Sequence, residues 1–288
     1  MKIYYVVTDL TAGSNLVKGA VVYEYLKRAN IDIELVLKTP IDAKNSIIVF
    51  VGSLGVGHKL TTDIIEILKS NNNKLVVDPV DSLCYIHFDL VRESLLYSFM
   101  DGVIFPNKFS ESHFMQDLSC KSITIPHHYD TKLDSISIVK MNKFGVCYAG
   151  SSYIDTYFQS KPDWLDLNFE GHTDSVLDML IKYPVHFSHR DSNSIDFYFK
   201  PGTKLATASA TNSVFVTSRD SAVVDILGED YPLYIDSNVE NTNKLISHLQ
   251  SEYDKNGLEA YSKLVTDIRK KVDIDEIYIY YIEFFNSL

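Results

Sequence analysis

Cysteine is scarce in this chain. Cys84, Cys120 and Cys147 are its only three, far apart and in no CxxC pair. An odd number at such spacing argues against a disulfide framework and against a structural zinc site. Cys147 lies in an apolar run and reads as a small packing residue. A reduced, cytoplasmic setting is the natural expectation. Long apolar runs are missing as well. No window reaches the roughly 18 residues a spanning helix needs, and the opening MKIYYVVTDL is broken by Asp9 too early for a signal peptide. Positive charge is in deficit: 27 basic residues against 38 acidic ones leave a formal charge of −11. That argues against general adhesion to nucleic acid or anionic membrane, while a local basic groove stays compatible with it. A full GxGxxG is absent, so dinucleotide binding has little support. The one Asp-x-Asp, Asp273-Ile274-Asp275, falls between two helical patterns and reads as a helix cap. Asp78 and Asp81 flank a proline after a strand and read as a turn, and no essential metal is expected.

What is present is a long alternation of strand and helix patterns in a chain of 288 residues that is 45% apolar. IYYVVT (3–8), DIELVL (32–37), IIVFVG (47–52), KLVVD (74–78), GVIFP (102–106) and SITIP (122–126) are apolar runs of buried-strand length. Helical spacings separate them: Val17, Val21 and Tyr25; Leu60, Ile64 and Leu68; then residues 89–98 and 110–118. This train predicts a doubly wound parallel domain. Residues 127–142 turn polar and suit a linker. A second train follows in FGVCYAG (144–150), PVHFSH (184–189), IDFYF (195–199), SVFVTS (213–218) and PLYID (232–236), with helices expected at 174–182, 203–211 and 220–227. The end is helical, and Ile274, Ile277, Tyr278, Tyr281, Ile282 and Phe285 form an apolar stripe. The expected division is 1–135, 136–270, and a last helix, 271–288, that packs on the first domain.

Parallel sheets hold their ligands beyond the carboxyl ends of the strands. In the first half this directs attention to Gly13, Ser14 and Asn15, to Gly52 through His58, to Asp78 and Asp81, and to His127 with His128. In the second half it points to Gly150, Ser151 and Ser152, to His189-Arg190, to Lys200, Gly202, Thr203 and Lys204, and to Ser218, Arg219 and Asp220. The densest segment is FYFKPGTKLATASATNSVFVTSRDSAVVDILGEDYPLYID (197–236). A turn with two lysines enters a helix there, and backbone N–H groups at a helix start suit a diphosphate. Two lysines beside a helix N-terminus oppose its dipole unless an anion is present. Arg219 beside Asp220 reads either as part of that site or as a local surface ion pair. His58 is either a base near neutral pH or a helix cap, and the adjacent His127 and His128 cannot both point the same way if the strand continues, which leaves room for one of them on the ligand side.

The same segment resembles the nucleotide-sugar half of GT-B glycosyltransferases. A Lys-Pro-x-x-Lys-Leu turn (Lys200, Pro201, Lys204, Leu205) opens a helix, and a Gly-x-Asp-Tyr-Pro element (Gly228, Asp230, Tyr231, Pro232) closes the following unit. KFGVCYAGSS (143–152) resembles the opening strand and glycine loop of that second domain. IPHHYD (125–130) resembles the close of the first, and GVIFPNKFS (102–110) its late strand and turn. The resemblance implies two Rossmann-like domains facing one another across a cleft, and transfer of a sugar from a nucleotide-sugar, a UDP-sugar by preference, to an acceptor hydroxyl. The donor is then a substrate, and no cofactor is implied. Gly150, Ser151, Ser152, Lys200, Gly202, Thr203, Lys204, Ser218, Arg219 and Asp220 fall on the donor side. Gly13, Ser14 and Asn15 fall on the acceptor side, with His58 or His127 as the catalytic group. The chain departs from the family in being short and in lacking a clear pair of glutamates like that of retaining members. Those departures keep two alternatives open: a binding module without catalysis, and a sugar-nucleotide epimerase. The acceptor (glycan, lipid, protein, small molecule or modified DNA base) and the oligomeric state are not fixed by these residues, and the −11 charge lowers the nucleic-acid option without closing it.

Overall fold

The computed structural model describes residues 1–10, 13, 15–80, 95–150, 157–158, 160–168 and 174–288. The chain divides into two compact units. One comprises Met1–His128, Phe199–Pro201 and Ile274–Leu288, and the other Tyr129–Tyr198 and Gly202–Asp273.

The first unit is built on six parallel strands: β1 (Ile3–Val6), β2 (Ile33–Val36), β3 (Ile47–Val51), β4 (Lys74–Asp78), β5 (Gly102–Phe105) and β6 (Lys121–Thr124), in the order β2-β1-β3-β4-β5-β6. All five residues of β3 are buried, as expected of a central parallel strand covered on both faces. A π-helical turn over Asn15–Val21 runs into helix α1 (Val22–Arg28). Helix α2 (Thr62–Ser70) starts where the Thr61 hydroxyl accepts the Ile64 N–H, two residues later than the Leu60 stripe predicts. Asn107 caps α3 (Lys108–Phe114) in the same way through Ser110 N. Most of the helix expected at 89–98 lies outside the described residues.

The second unit carries four parallel strands, β7 (Val146–Ala149), β8 (Leu165–Asn168), β9 (Val185–Ser188) and β10 (Val214–Thr217), in the order β10-β9-β7-β8. Its helices are α4 (Asp174–Lys182), α5 (Asp196–Phe199, whose last residue falls with the first unit), α6 (Thr203–Ala210), α7 (Ser221–Leu227), α8 (Val239–Asn256) and α9 (Ser262–Val272). Helix α6 is clad on two sides, by β9 and β10 and by α9, and its Ala206, Ala208 and Ala210 are buried. Small side chains are what such a position demands.

Helix α10 (Ile274–Ser287) belongs to the first unit and packs on α1. It buries Ile274, Ile277, Tyr281, Phe284 and Phe285. Gly102 permits this approach, since a Cβ there would stand 2.7 Å from Phe284 Cζ.

Three expectations change. The 195–199 run is helical: Ser194 caps it by accepting the Asp196 N–H at 3.2 Å, and Tyr198 N–H donates to Ile195 O. Its aromatic run reflects Phe199 packing among Phe109, His113 and Phe114. PLYID contributes a single parallel bridge, Thr217 to Tyr234, at the β10 edge. Strand β8, with sequence LDLN, was not anticipated, because an edge strand buries too little to leave an apolar run. Among the described residues no helix is long and apolar enough to cross a membrane.

Candidate functional site

Each sheet reverses its direction of growth once, between β1 and β3 in the first unit and between β7 and β9 in the second. The connections on either side of such a point leave toward opposite faces, and a crevice opens at the carboxyl ends of the strands. In the second unit, Gly150 follows β7, His189 and Arg190 follow β9, and Ser218, Arg219 and Asp220 follow β10.

Lys204 reaches this point from the first turn of α6. Its Nζ lies 3.8 Å from the centroid of the Tyr148 ring, a cation–π contact that aims the amine at the end of β7. Gly150 makes room for it. The backbone there has φ +156°, and a Cβ would fall 2.6 Å from Lys204 Nζ and 3.1 Å from Tyr148 Oη. The start of α6 has Gly202 as its N-cap with no side chain capping it. Amine and helix start therefore form an electropositive end.

Asp220 anchors the other wall. Its side chain is 1% exposed, its Oδ1 lies 3.0 Å from Arg190 Nη1, and it caps α7 by accepting the Val223 N–H at 3.2 Å. Burial raises its pKa; the Arg190 charge, the Val223 N–H and the Lys204 charge pull the other way. The Ser218 hydroxyl accepts the Arg190 N–H at 2.9 Å, fixing the backbone where the guanidinium leaves it. Arg219 does not pair with its neighbour Asp220. It donates to the Glu229 carbonyl at 2.7 Å, with its guanidinium over the Tyr234 ring. The reason is that Asp220 points inward as a cap while Arg219 stays exposed. His189 stacks on Tyr157 with centroids 3.8 Å apart, and burial lowers its pKa to about 4. At neutral pH it offers an uncharged ring and no cation.

The remaining predicted residues lie elsewhere. Lys200 falls with the first unit and Lys204 with the second. In the first unit Gly13 is half-buried. Asn15 is buried and donates to Thr8 Oγ1 at 2.9 Å, with Asp9 Oδ2 at 3.5 Å. His58, partly buried, donates from Nε2 to the Val51 carbonyl at 2.9 Å. His127 and His128 are both buried. Ser14, Ser151, Ser152 and Asp81 lie outside the described residues. An open cavity of about 370 Å³ at the opposite, amino edge of the first sheet is lined by Lys69, Lys74, Asp101 and Lys121, among others. Asp101 already faces two of those lysines.

Sequence reasoning missed the Tyr148 platform and a buried contact in the first unit, Lys18 with Asp78 and Tyr281. A signal for the latter was available: Lys18 stands three and four residues before Val21 and Val22, on the apolar stripe where a lysine needs a partner.

No protein-family model matches this chain, and no curated protein matches it. Solved structures do. Sucrose-phosphate synthase from Thermosynechococcus elongatus is similar over 100% of this chain and 99% of its own, with TM-score 0.65 and 11% identity. An alpha-glucosyltransferase in complex with UDP and a 13-mer DNA containing a HMU base is similar over 99% of both chains, with TM-score 0.66 and 10% identity. AviGT4, a glycosyltransferase involved in avilamycin A biosynthesis, is similar over 100% and 98%, with TM-score 0.64 and 10% identity. These neighbours are GT-B glycosyltransferases, and the fold of this chain is GT-B.

Proposed function

We propose that the chain is a glycosyltransferase that takes a sugar from a nucleotide-sugar and passes it to an acceptor hydroxyl, with the second unit binding the donor. One observation carries the reading: the Lys204 amine rests on the Tyr148 face against Gly150, at the point where the second sheet reverses its strand order. Departure of a nucleoside diphosphate builds negative charge on the leaving group, and preorganised cations and N–H dipoles stabilise that charge. Lys204 and the first N–H groups of α6, at Thr203 and after, supply this for the diphosphate. Arg190, held by Asp220 and Ser218, adds a second fixed cation. Arg219 lies on the exposed rim, and the backbone at Gly150 would approach the donor directly. The reading assigns leaving-group stabilisation to these groups with no metal ion. A UDP-sugar is the preferred donor, by analogy with the neighbour solved with UDP.

The first unit would take the acceptor at its own reversal point, beside Gly13 and Asn15, with His58 as the base. His127 is the alternative, and its burial makes it the weaker candidate. Calorimetric titration with UDP, ADP and GDP tests the donor half. Micromolar to millimolar binding of one nucleotide supports it, and no binding of any removes its basis. Release of nucleoside diphosphate from UDP-sugars then tests turnover; binding without release in the presence of varied hydroxyl acceptors would make the chain a binding module.

A further inference from the structure

Lysine is costly to bury, and Lys18 is fully buried. Its ammonium lies 3.2 Å from Asp78 Oδ2, whose side chain is 1% exposed, and donates to the Tyr281 hydroxyl at 2.5 Å. Tyr5 stands in the same pocket: its pKa is raised by burial first and then by the Asp78 charge. Among the described residues its hydroxyl has no hydrogen-bond partner. Three elements distant in sequence therefore meet at one ammonium: the end of β4, the π-helical turn Asn15–Val21, and α10.

That turn is also where Asn15 sits, tied to Thr8 Oγ1. A turn wound as a π-helix gives up regular hydrogen-bond geometry and needs support from outside itself. Gly19, one residue after Lys18, lets the turn press on Val7, just past the end of β1, since a Cβ there would lie 2.4 Å from Val7 Cγ1. Support from the other side comes through Tyr281.

We infer that Lys18 is a positioning residue, and that the Asp78–Lys18–Tyr281 contact is a latch by which the last helix sets the conformation of the Asn15–Val21 turn. That this turn serves the acceptor rests on the proposed transferase reading; the latch itself does not. A buried ion pair adds little net stability against apolar groups of the same size, yet it penalises every arrangement that separates its members. The latch thus selects one docking of α10 and one shape of the turn.

Hydrogen exchange on the full chain tests this with Tyr281→Phe, which removes only the hydroxyl. The expected result is exchange about tenfold or more faster across Asn15–Val21 and α10, with β3, β4 and the second-unit helix α6 unchanged. A purely structural contribution would speed β3 and β4 together with the turn, and that result, or an unchanged turn, overturns the inference. A second variant, Lys18→Met with Asp78→Asn, removes both charges. It should hold its melting temperature within a few degrees and still free the turn; a turn as protected as the parent's would overturn the latch. UDP titration of Tyr281→Phe runs alongside. If neither parent nor variant binds UDP, the transferase reading fails while the exchange result still decides the latch.

Discussion

Lys204 holds its amine over the face of Tyr148, half out of water. A contact of that kind contributes about 0.5–1 kcal/mol, whereas a charged hydrogen bond to a phosphate is worth roughly 1.5–3 kcal/mol. Lys204→Ala should therefore lower affinity for nucleoside diphosphate about ten- to a hundredfold while shifting the melting temperature only slightly; calorimetry and a thermal melt check both. Asp220→Ala is expected to behave in the opposite way. It strands Arg190 and uncaps α7, so about 3 kcal/mol or more of stability should go, read from urea unfolding. His186 provides a pH test. Burial first, and then the Lys140 charge, lower its pKa to about 3, against the Leu180 carbonyl, which raises it. The unfolded chain then holds the extra proton between about pH 6.5 and 3. Stability contributed above pH 6.5 is lost as the pH falls through that window, at up to roughly 1.4 kcal/mol per pH unit. His186→Gln should flatten the dependence by that amount in unfolding titrations from pH 7 to 4. Lys204 was legible in the sequence because a turn entering a helix is a local pattern, and Gly150 because it closes an apolar strand run. The Arg190–Asp220 pair was not, since its members stand on different strand ends and only the sheet order makes them neighbours.

At the level of elements, Gly150 and Gly202 make a matched pair. Both belong to turns that the sequence marked, but only one is required by geometry. Gly202 has φ −85°, and a Cβ there would meet its neighbours no closer than 3.6 Å. Gly202→Ala should bind nucleotide nearly as the parent does. Gly150→Ala should displace the Lys204 amine and reduce binding by an amount close to that of Lys204→Ala, and the double variant should lose little more. Affinities of the four proteins check this cycle. The buried central strands were readable because both faces are covered and the apolar run is unbroken. Residues 195–199 misled for the same reason in reverse: their aromatic run reflects the burial of Phe199, and the helix start is written in Ser194, a cap that the apolar pattern outweighs. Strand β8 had too few apolar residues to register.

For the whole molecule, two trains of strands and helices sufficed to indicate two doubly wound units, and the neighbours bear out the GT-B fold. The strand orders were out of reach, because periodicity says which residues are buried and nothing about which strand lies beside which. So was the interleaving that gives Phe199–Pro201 to the first unit, whereas the last helix was expected to pack on the first domain. That interleaving bears on how the protein comes into being. The second unit needs no residue beyond Asp273, whereas the first still lacks Ile274, Ile277, Tyr281, Phe284 and Phe285 from its core at that point. During synthesis the half that is begun first is therefore completed last, and its nascent sheet must wait, with Lys18 and Asp78 lacking their tyrosine, while the later half folds. A chain stopped after Asp273 should keep the second unit's protease resistance and lose that of the first. Pulse proteolysis of ribosome-released fragments of increasing length should show the amino-terminal half becoming resistant only once α10 has been made.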